Sequence, residues 1–407
     1  MRLRPTGRGL GLLLTGLAVA GAGTALGSRD LLVLGTLPVL LVLTSTTLLA
    51  LVDPGRGRHG LDTRRTVRPD PVHAGHEATV QVDVTLAAGR SRARLNDLHL
   101  REQAAVELSG GRPLRAQVTR EPRAVHLRYP VRAARRGRWG LGPLVVTRTD
   151  PFGVARVRAV LGDRDRVTVW PAVVDLPAPR ALAVAEPEHV VVGARTPATD
   201  DAALREYRVG DDLRRVHWRS SARRGELVVR ADERAALRPV SVLLDQSPAG
   251  DELEWSISLA ASAALAMLAA GHATHLLTGT AGDDRGALRP ETPVAQQILD
   301  ATVDLTGQAD RPAAERALLA EVREIDDRDG GNGLVLGVLG PQGPTGRAAL
   351  AELGRTRSCW AVVRGAAQDE AADATANALR RAGWRVVRAS AEEDLAAVWW
   401  RLTEGTR

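Results

Sequence analysis

The chain has 407 residues, with 55 basic against 48 acidic side chains for a formal net charge of +7, and every basic residue is arginine. The absence of lysine excludes a Walker A loop of the usual form, Schiff-base chemistry and the strand lysine of protein kinases, and a single cysteine, Cys359, excludes an intramolecular disulfide and any cysteine metal cluster. A hydrophobic fraction of 44% with 25% charged residues is that of a folded globular chain, and the length predicts two or three domains.

Two uncharged apolar runs open the chain, Gly9 to Ser28 and Leu31 to Val52. At about 1.5 Å per residue each spans a hydrocarbon core of about 30 Å, so the pattern predicts a transmembrane hairpin over 1–56 with Arg29 and Asp30 in its turn. Arg2, Arg4 and Arg8 precede the first run, and Arg56, Arg58, Arg64, Arg65 and Arg68 follow the second. This bias places both ends in the cytoplasm. The expected location is the cytoplasmic membrane, multi-pass, with the C-terminal domains in the cytoplasm, and one cysteine fits a reducing compartment. The alternative for the first run is a cleaved signal peptide ending near Ala20-Gly21-Ala22. The second run would then anchor the chain in the opposite orientation.

Residues 57–175 read as a β-sandwich-like domain. Ala78–Leu86, Val125–Tyr129, Leu144–Thr147 and Val167–Trp170 are short strand patterns separated by Gly and Pro clusters. Asp150-Pro151-Phe152-Gly153 suits a type I turn, with Phe152, the only Phe of the chain, as an aromatic anchor. The pairs His73/His76 and His272/His275 lack a third ligand and read as ordinary surface or core histidines. Pro171 to Pro197 is a proline-punctuated linker, part of it able to pack as extended chain.

From Arg238 onward apolar strands alternate with helices. Strands are predicted at Pro239–Leu244, His275–Leu277, Leu334–Leu339, Trp360–Val363 and Trp384–Val387. Helices are predicted at Glu252–Gly271, Pro293–Leu305, Ala313–Ile325, Arg347–Leu353, Ala371–Ala382 and Glu392–Leu402. Uniformly apolar strands between helices mean a mostly parallel, Rossmann-like sheet covered on both faces, over 238–407. Cys359 begins one such strand and reads as a small buried core residue.

The segment from Arg205 to Glu226, within a linker region spanning 176–237, is dense in charge yet holds Tyr207 and Trp218. Three readings are open: an arginine–carboxylate network that ties domains together, a binding surface for a protein or an anionic ligand, or a catalytic site with His217 as acid/base beside Asp211 or Glu206. Asp245 and Ser247 follow the first strand of the parallel sheet, at the edge where open sheets place ligands, and their oxygens suit Mg²⁺. Arginine is spread rather than clustered with aromatics, so no nucleic-acid partner is expected. Arginines near the bilayer favour anionic lipid.

The segment resembles the hallmark R-E-Y-x-x-G-D-x-x-R-x-I-H-W-x-x-S-A-R of the bacterial domain-of-unknown-function family 58. The matching residues are Arg205, Glu206, Tyr207, Gly210, Asp211, Arg214, His217, Trp218, Ser221, Ala222 and Arg223, with Val216 in place of Ile. The Asp150–Gly153 turn after Arg136-Gly137-Arg138-Trp139, and the paired helices at the start, are also similar to the family. The resemblance implies a von Willebrand factor A-like domain after the hallmark. It also implies a MoxR-type AAA+ ATPase and a transglutaminase-like membrane protein as partners. No enzymatic activity is established for the family as a whole. The metal motif of A domains, D-x-S-x-S, departs here: Ala249 stands at its last position, and Gly340-Pro341 supplies no carboxylate. The expected metal site of Asp245 and Ser247 is degenerate, with no cofactor beyond weak Mg²⁺. The expected function is that of a membrane-anchored, non-enzymatic interaction protein; the rival is a hydrolase or transferase built on His217.

Overall fold

The computed structural model describes residues 2–51, 61–86, 98–179, 204–206, 218–230, 238–246, 250–278, 292–329 and 333–405. They form two compact units, Met1–Ala172 and Val173–Arg407.

The first unit starts with a strand that sequence reasoning does not anticipate, β1 (Arg2–Pro5). It runs into helix α1 (Gly7–Leu26), and α2 (Arg29–Leu51) returns antiparallel to it. The Thr6 side chain caps α1 by accepting from the Gly9 N–H at 3.1 Å. Gly27, with φ at 65°, closes the helix in the left-handed region that glycine tolerates. The turn therefore lies at Gly27-Ser28, not at Arg29-Asp30 as expected. Asp30 sits in the first turn of α2, where the helix dipole favours an acid. Both helices are long and apolar enough to cross a membrane.

Small residues let the two helices meet closely. A Cβ built on Gly16 would lie 2.8 Å from the Gly35 carbonyl oxygen, and one on Gly35 would collide with the Ala20 backbone. Outward-facing leucines such as Leu14 and Leu43 are exposed. Thr15 and Thr47 return their hydroxyls to carbonyls one turn back, Gly11 and Leu43, each at 2.8 Å.

Two sheets complete this unit, antiparallel throughout except where β3 runs parallel to β10. One has the order β1-β9-β8-β10-β3 with β5 also on β8; the other is β2-β4-β7-β6. The strands are β2 (Leu61–Arg68), β3 (Val72–His73), β4 (Glu77–Leu86), β5 (Leu98–Ala104), β6 (Gln117–Arg120), β7 (Ala124–Arg132), β8 (Gly137–Thr149), β9 (Ala155–Leu161) and β10 (Asp165–Trp170). A short helix, α3 (Val106–Ser109), follows β5. The period-two pattern does its expected work: Val80, Val82 and Val84 of β4 share one core with Leu144 and Val146 of β8 and Val167 of β10. Arg65 of β2 reaches the other sheet, pairing with Glu102 at 2.6 Å and with Asp165.

In the second unit, Val173–Pro179 packs onto the α/β core rather than linking freely. Leu176 is buried there, the Val174 N–H donates to Ser262 Oγ at 3.0 Å, and Trp399 Nε1 donates to the Pro177 carbonyl at 2.8 Å. The hallmark region holds a small antiparallel ribbon, β11 (Leu204–Glu206) with β12 (Val228–Arg230), and helix α4 (Trp218–Arg224) between them in sequence. The main sheet is entirely parallel, in the order β14-β13-β15-β16-β17. Its strands are β13 (Val240–Leu244), β14 (Thr274–Leu277), β15 (Leu334–Leu339), β16 (Ser358–Arg364) and β17 (Arg385–Ala389). The helices are α5 (Asp251–Ala269), α6 (Val294–Val303), α7 (Arg311–Asp329), α8 (Pro344–Thr356), α9 (Glu370–Arg381) and α10 (Leu395–Thr403). Helix α5 matches a membrane span in length and composition, yet it is largely buried against the sheet. Separate hydrophobic clusters lie on the two faces of the sheet, one with Val242, Leu336 and Trp399, the other with Leu243, Val335 and Leu350. Cys359 is in the second cluster, and burial pushes its thiol up to about 12.

Candidate functional site

The chain leaves β13 for β14 on one side and returns to β15 on the other. The sheet therefore reverses its winding between β13 and β15, the place where open parallel sheets form a crevice at their carboxyl ends. Asp245 follows the last residue of β13 and Gly340 follows β15.

Asp245 is 3% exposed. Its Oδ2 accepts from the Gly340 N–H at 2.8 Å and from Gln342 Nε2 at 2.7 Å. Gln342 is itself held, its own N–H donating to Thr375 Oγ1 of α9 at 2.9 Å. Gln246 donates through Nε2 to the Thr278 carbonyl, and its own carbonyl accepts from the Gln308 N–H at 3.1 Å. The strand ends are thus stitched by amides and one carboxylate.

A second carboxyl comes from α7. Glu321 is 2% exposed, and its Oε2 has no hydrogen-bond partner among the described residues. Burial, then the charges of Asp245 and Glu324, push it well above the ordinary carboxylate range, against a backbone hydrogen bond at Leu244. Glu321 and Asp245 are thus two buried carboxyls, and the charge of Asp245 opposes ionisation of Glu321. On the next strand, Arg364 is also buried, and its Nη1 donates to the Glu252 carbonyl at 2.9 Å and to Ser256 Oγ at 2.8 Å. Burial pulls this guanidinium below its usual range, with Glu252 and Asp245 opposing.

Glu321, Gln342 and Arg364 were not anticipated. Glu321 had a signal: it lies three residues after Leu318 and four before Ile325, on the face α7 buries. Arg364 ends an apolar run and resembles an ordinary strand terminus. Of the anticipated metal pair, Asp245 is in place and Ser247 lies outside the described residues. Asp245 Oδ2 is committed to the Gly340 and Gln342 donors, so the residues described here do not fit a dedicated cation cage. Among the described residues no group of three His, Cys, Asp or Glu side chains gathers as metal ligands.

The hallmark divides. Arg205 and Glu206 lie in β11, registered with Val229 and Val228 of β12. Trp218 is 65% exposed, Ser221 is buried, and Arg223 is exposed. Tyr207, Gly210, Asp211, Arg214 and His217 lie outside the described residues.

A family model described as "Protein of unknown function DUF58" matches residues 203–352, from the hallmark through most of α8. Residues 203–352 belong to the DUF58 family. The DUF58 segment thus includes Trp218, Asp245, Glu321 and Gln342, and leaves Arg364 and both membrane-type helices outside it. A search of curated proteins finds no match. Among solved structures, the GspB Siglec domain is similar at 16% identity, over 29% of this chain and 64% of that one, with a TM-score of 0.17. The chain therefore spans somewhat under two thirds of that domain.

Proposed function

We propose that this protein is a membrane-anchored interaction protein without an enzymatic role of its own. It would present a cytosolic von Willebrand factor A-like domain to a partner of the MoxR-type AAA+ ATPase class, with a transglutaminase-like membrane protein as a further candidate. The reading of the α/β unit as A-like is supported by its parallel 2-1-3-4-5 strand order and by an aspartate directly after the first strand. The reading of the β unit as a sandwich is supported by two sheets, antiparallel but for the β3–β10 pair, that share a core. The arginine bias on both flanks of the hairpin supports cytoplasmic domains.

The observation that carries the proposal is Trp218. An indole 65% exposed, in a segment rich in arginine, is the residue type that dominates binding energy at protein interfaces. Asp245, Gln342 and Glu321 complement it: their hydrogen bonds and burial hold strand ends in place and require no resident Mg²⁺.

The test is capture of a purified MoxR-type ATPase by the full chain in mild detergent, with and without ATP and Mg²⁺, beside Trp218→Ala and Asp245→Ala. Capture that Trp218→Ala weakens by tenfold or more, about 1.4 kcal/mol, in a variant that unfolds like the wild type, supports the adaptor role. Equal capture by both variants, or none, overturns it.

A further inference from the structure

The β unit is fastened to the start of the helical hairpin. The Thr6 N–H donates to the Val154 carbonyl at 2.9 Å, and Thr6 Oγ1 donates to the Gly153 carbonyl at 2.6 Å. Gly9 lies so close that a Cβ there would collide with the Val154 carbonyl oxygen. The end of α2 joins in, with Leu49 packed on Ala155 and Val157 of β9. Both helices therefore leave the sheet at the tip of the β8–β9 hairpin, the Asp150–Gly153 turn. Asp150 makes this turn by accepting from the Phe152 and Ala155 N–H groups at 3.0 and 2.6 Å. Phe152 was expected to anchor the turn; instead it is 61% exposed, one residue before the Gly153 carbonyl that Thr6 bonds.

Next to this aromatic lies a face of one charge. Arg4 of β1 is registered directly opposite Arg156 of β9, so both point to the same side of the sheet, and Arg158 lies on that side two residues on. The alternation of β9 leaves Arg156 and Arg158 exposed while Ala155 and Val157 are buried. The row from Arg158 continues through Thr147 and His99, with no carboxylate. Like charges directly opposite each other disfavour strand pairing unless an anion lies between them. Among the described residues, no carboxylate pairs with Arg4, Arg156 or Arg158. Arg4 is two strand residues, about 7 Å, from the helix cap, within a Debye length of about 8 Å from any bilayer that α1 enters.

We infer that the β8–β9 tip and the β1–β9 edge form a docking surface for the anionic bilayer itself. Phe152 enters the headgroup region, and Arg4, Arg156 and Arg158 bind lipid phosphates. Phosphate is the anion that guanidinium pairs hold bidentately. A membrane is the occupant the structure favours, because α1, which leads into it, begins hydrogen-bonded to this turn, and the end of α2 packs on β9 beside it. The inference rests on the reading of α1 and α2 as a membrane hairpin.

The test uses the full chain in vesicles, in a Cys359→Ala background, with a bimane label at Phe152→Cys, Leu14→Cys or Val118→Cys. The vesicles are phosphatidylcholine alone, or phosphatidylcholine with one-third phosphatidylglycerol, and brominated acyl chains serve as quencher. Labels at Leu14 and Phe152 are expected to be quenched, and one at Val118 not. Phosphatidylglycerol should raise quenching at Phe152, and Arg4→Gln/Arg156→Gln/Arg158→Gln should lower that rise at least about twofold, as expected for loss of three near-surface cations. Quenching at Leu14 without quenching at Phe152 overturns the docking surface alone. No quenching at Leu14 overturns the membrane hairpin, and the inference with it. Quenching at Phe152 that is indifferent to both phosphatidylglycerol and the triple substitution assigns the arginines to another anion and overturns their role.

Discussion

The Asp245 carboxylate accepts the Gly340 N–H at 2.8 Å and so joins the ends of the two strands between which the parallel sheet reverses its winding. A residue that could have faced a ligand is instead part of the frame around the crevice. Gln342 shares the same oxygen at 2.7 Å, so removal of the carboxylate strands two buried donors at once.

Asp245→Ala is accordingly expected to cost about 2–4 kcal/mol, from one to three for each unsatisfied donor less some relaxation. Asp245→Asn, which keeps an acceptor oxygen, should cost about half as much. Urea unfolding of the full chain in micelles, followed by the fluorescence of the α/β unit, measures both. Equal stability of Asp245→Ala and wild type would remove the carboxylate from the frame.

Glu321 predicts a pH dependence with a definite sign. Its folded-state pKa is raised, so the folded chain holds a proton that the unfolded chain releases above about pH 4.3. Its contribution to stability is full below that pH and is lost as the pH rises toward the folded value, by roughly 1.4 kcal/mol per pH unit. Glu321→Gln is therefore expected to match wild type near about pH 4 and to gain on it as the pH rises above that. Thermal unfolding across this range checks the slope; parallel curves for the two proteins would contradict it.

The helix hairpin depends on two close approaches. Gly35→Val would drive a side chain into the Ala20 backbone and should destabilise the hairpin by about 1–3 kcal/mol, the usual cost of overpacking. Gly21→Val is the control, because nothing lies within 4 Å of a Cβ at that position. The unfolding midpoint in micelles should fall for the first and hold for the second.

On the outer face of the second β sheet, His126 Nδ1 lies 2.6 Å from Asp83 Oδ1. That hydrogen bond raises the imidazole above its ordinary value, with burial opposing and the charges of Asp83 and Glu121 assisting. The stability it brings is present below the unfolded pKa and lost as the pH rises through the folded one. Asp83→Asn should move the His126 NMR titration down; an unchanged midpoint would rule out the pair as its cause.

Legibility of the fold followed residue chemistry closely. Leu334–Leu339 was readable to the residue because it is apolar throughout, as a doubly covered parallel strand must be. Strand β9 alternates fully yet carries a weak strand signal, because two of its three outward positions are arginines and it directly follows a turn. Strand β1 gave no signal: four residues in a basic flank look like a membrane-topology determinant, and only pairing with a segment far along the chain makes them a strand. The charges Arg29 and Asp30 resembled a turn but begin a helix, since a glycine just before them had already reversed the chain. At the candidate site, Asp245 was legible from its place after a strand. Glu321 was not, because a glutamate in a helix is read as solvent-facing unless its apolar neighbours at helical spacing are weighed.

The pairing of β1 with β9 also sets an order of events during synthesis. Arg2 meets Arg158, so the partner of the first strand leaves the ribosome only after roughly 150 further residues, about 8–30 s at ordinary elongation rates. A hairpin inserted in that interval would hold β1 at the bilayer surface as a lone strand awaiting its neighbour. The β unit would then close onto an edge already laid down at the membrane, and insertion of the two helices would precede completion of the sheet.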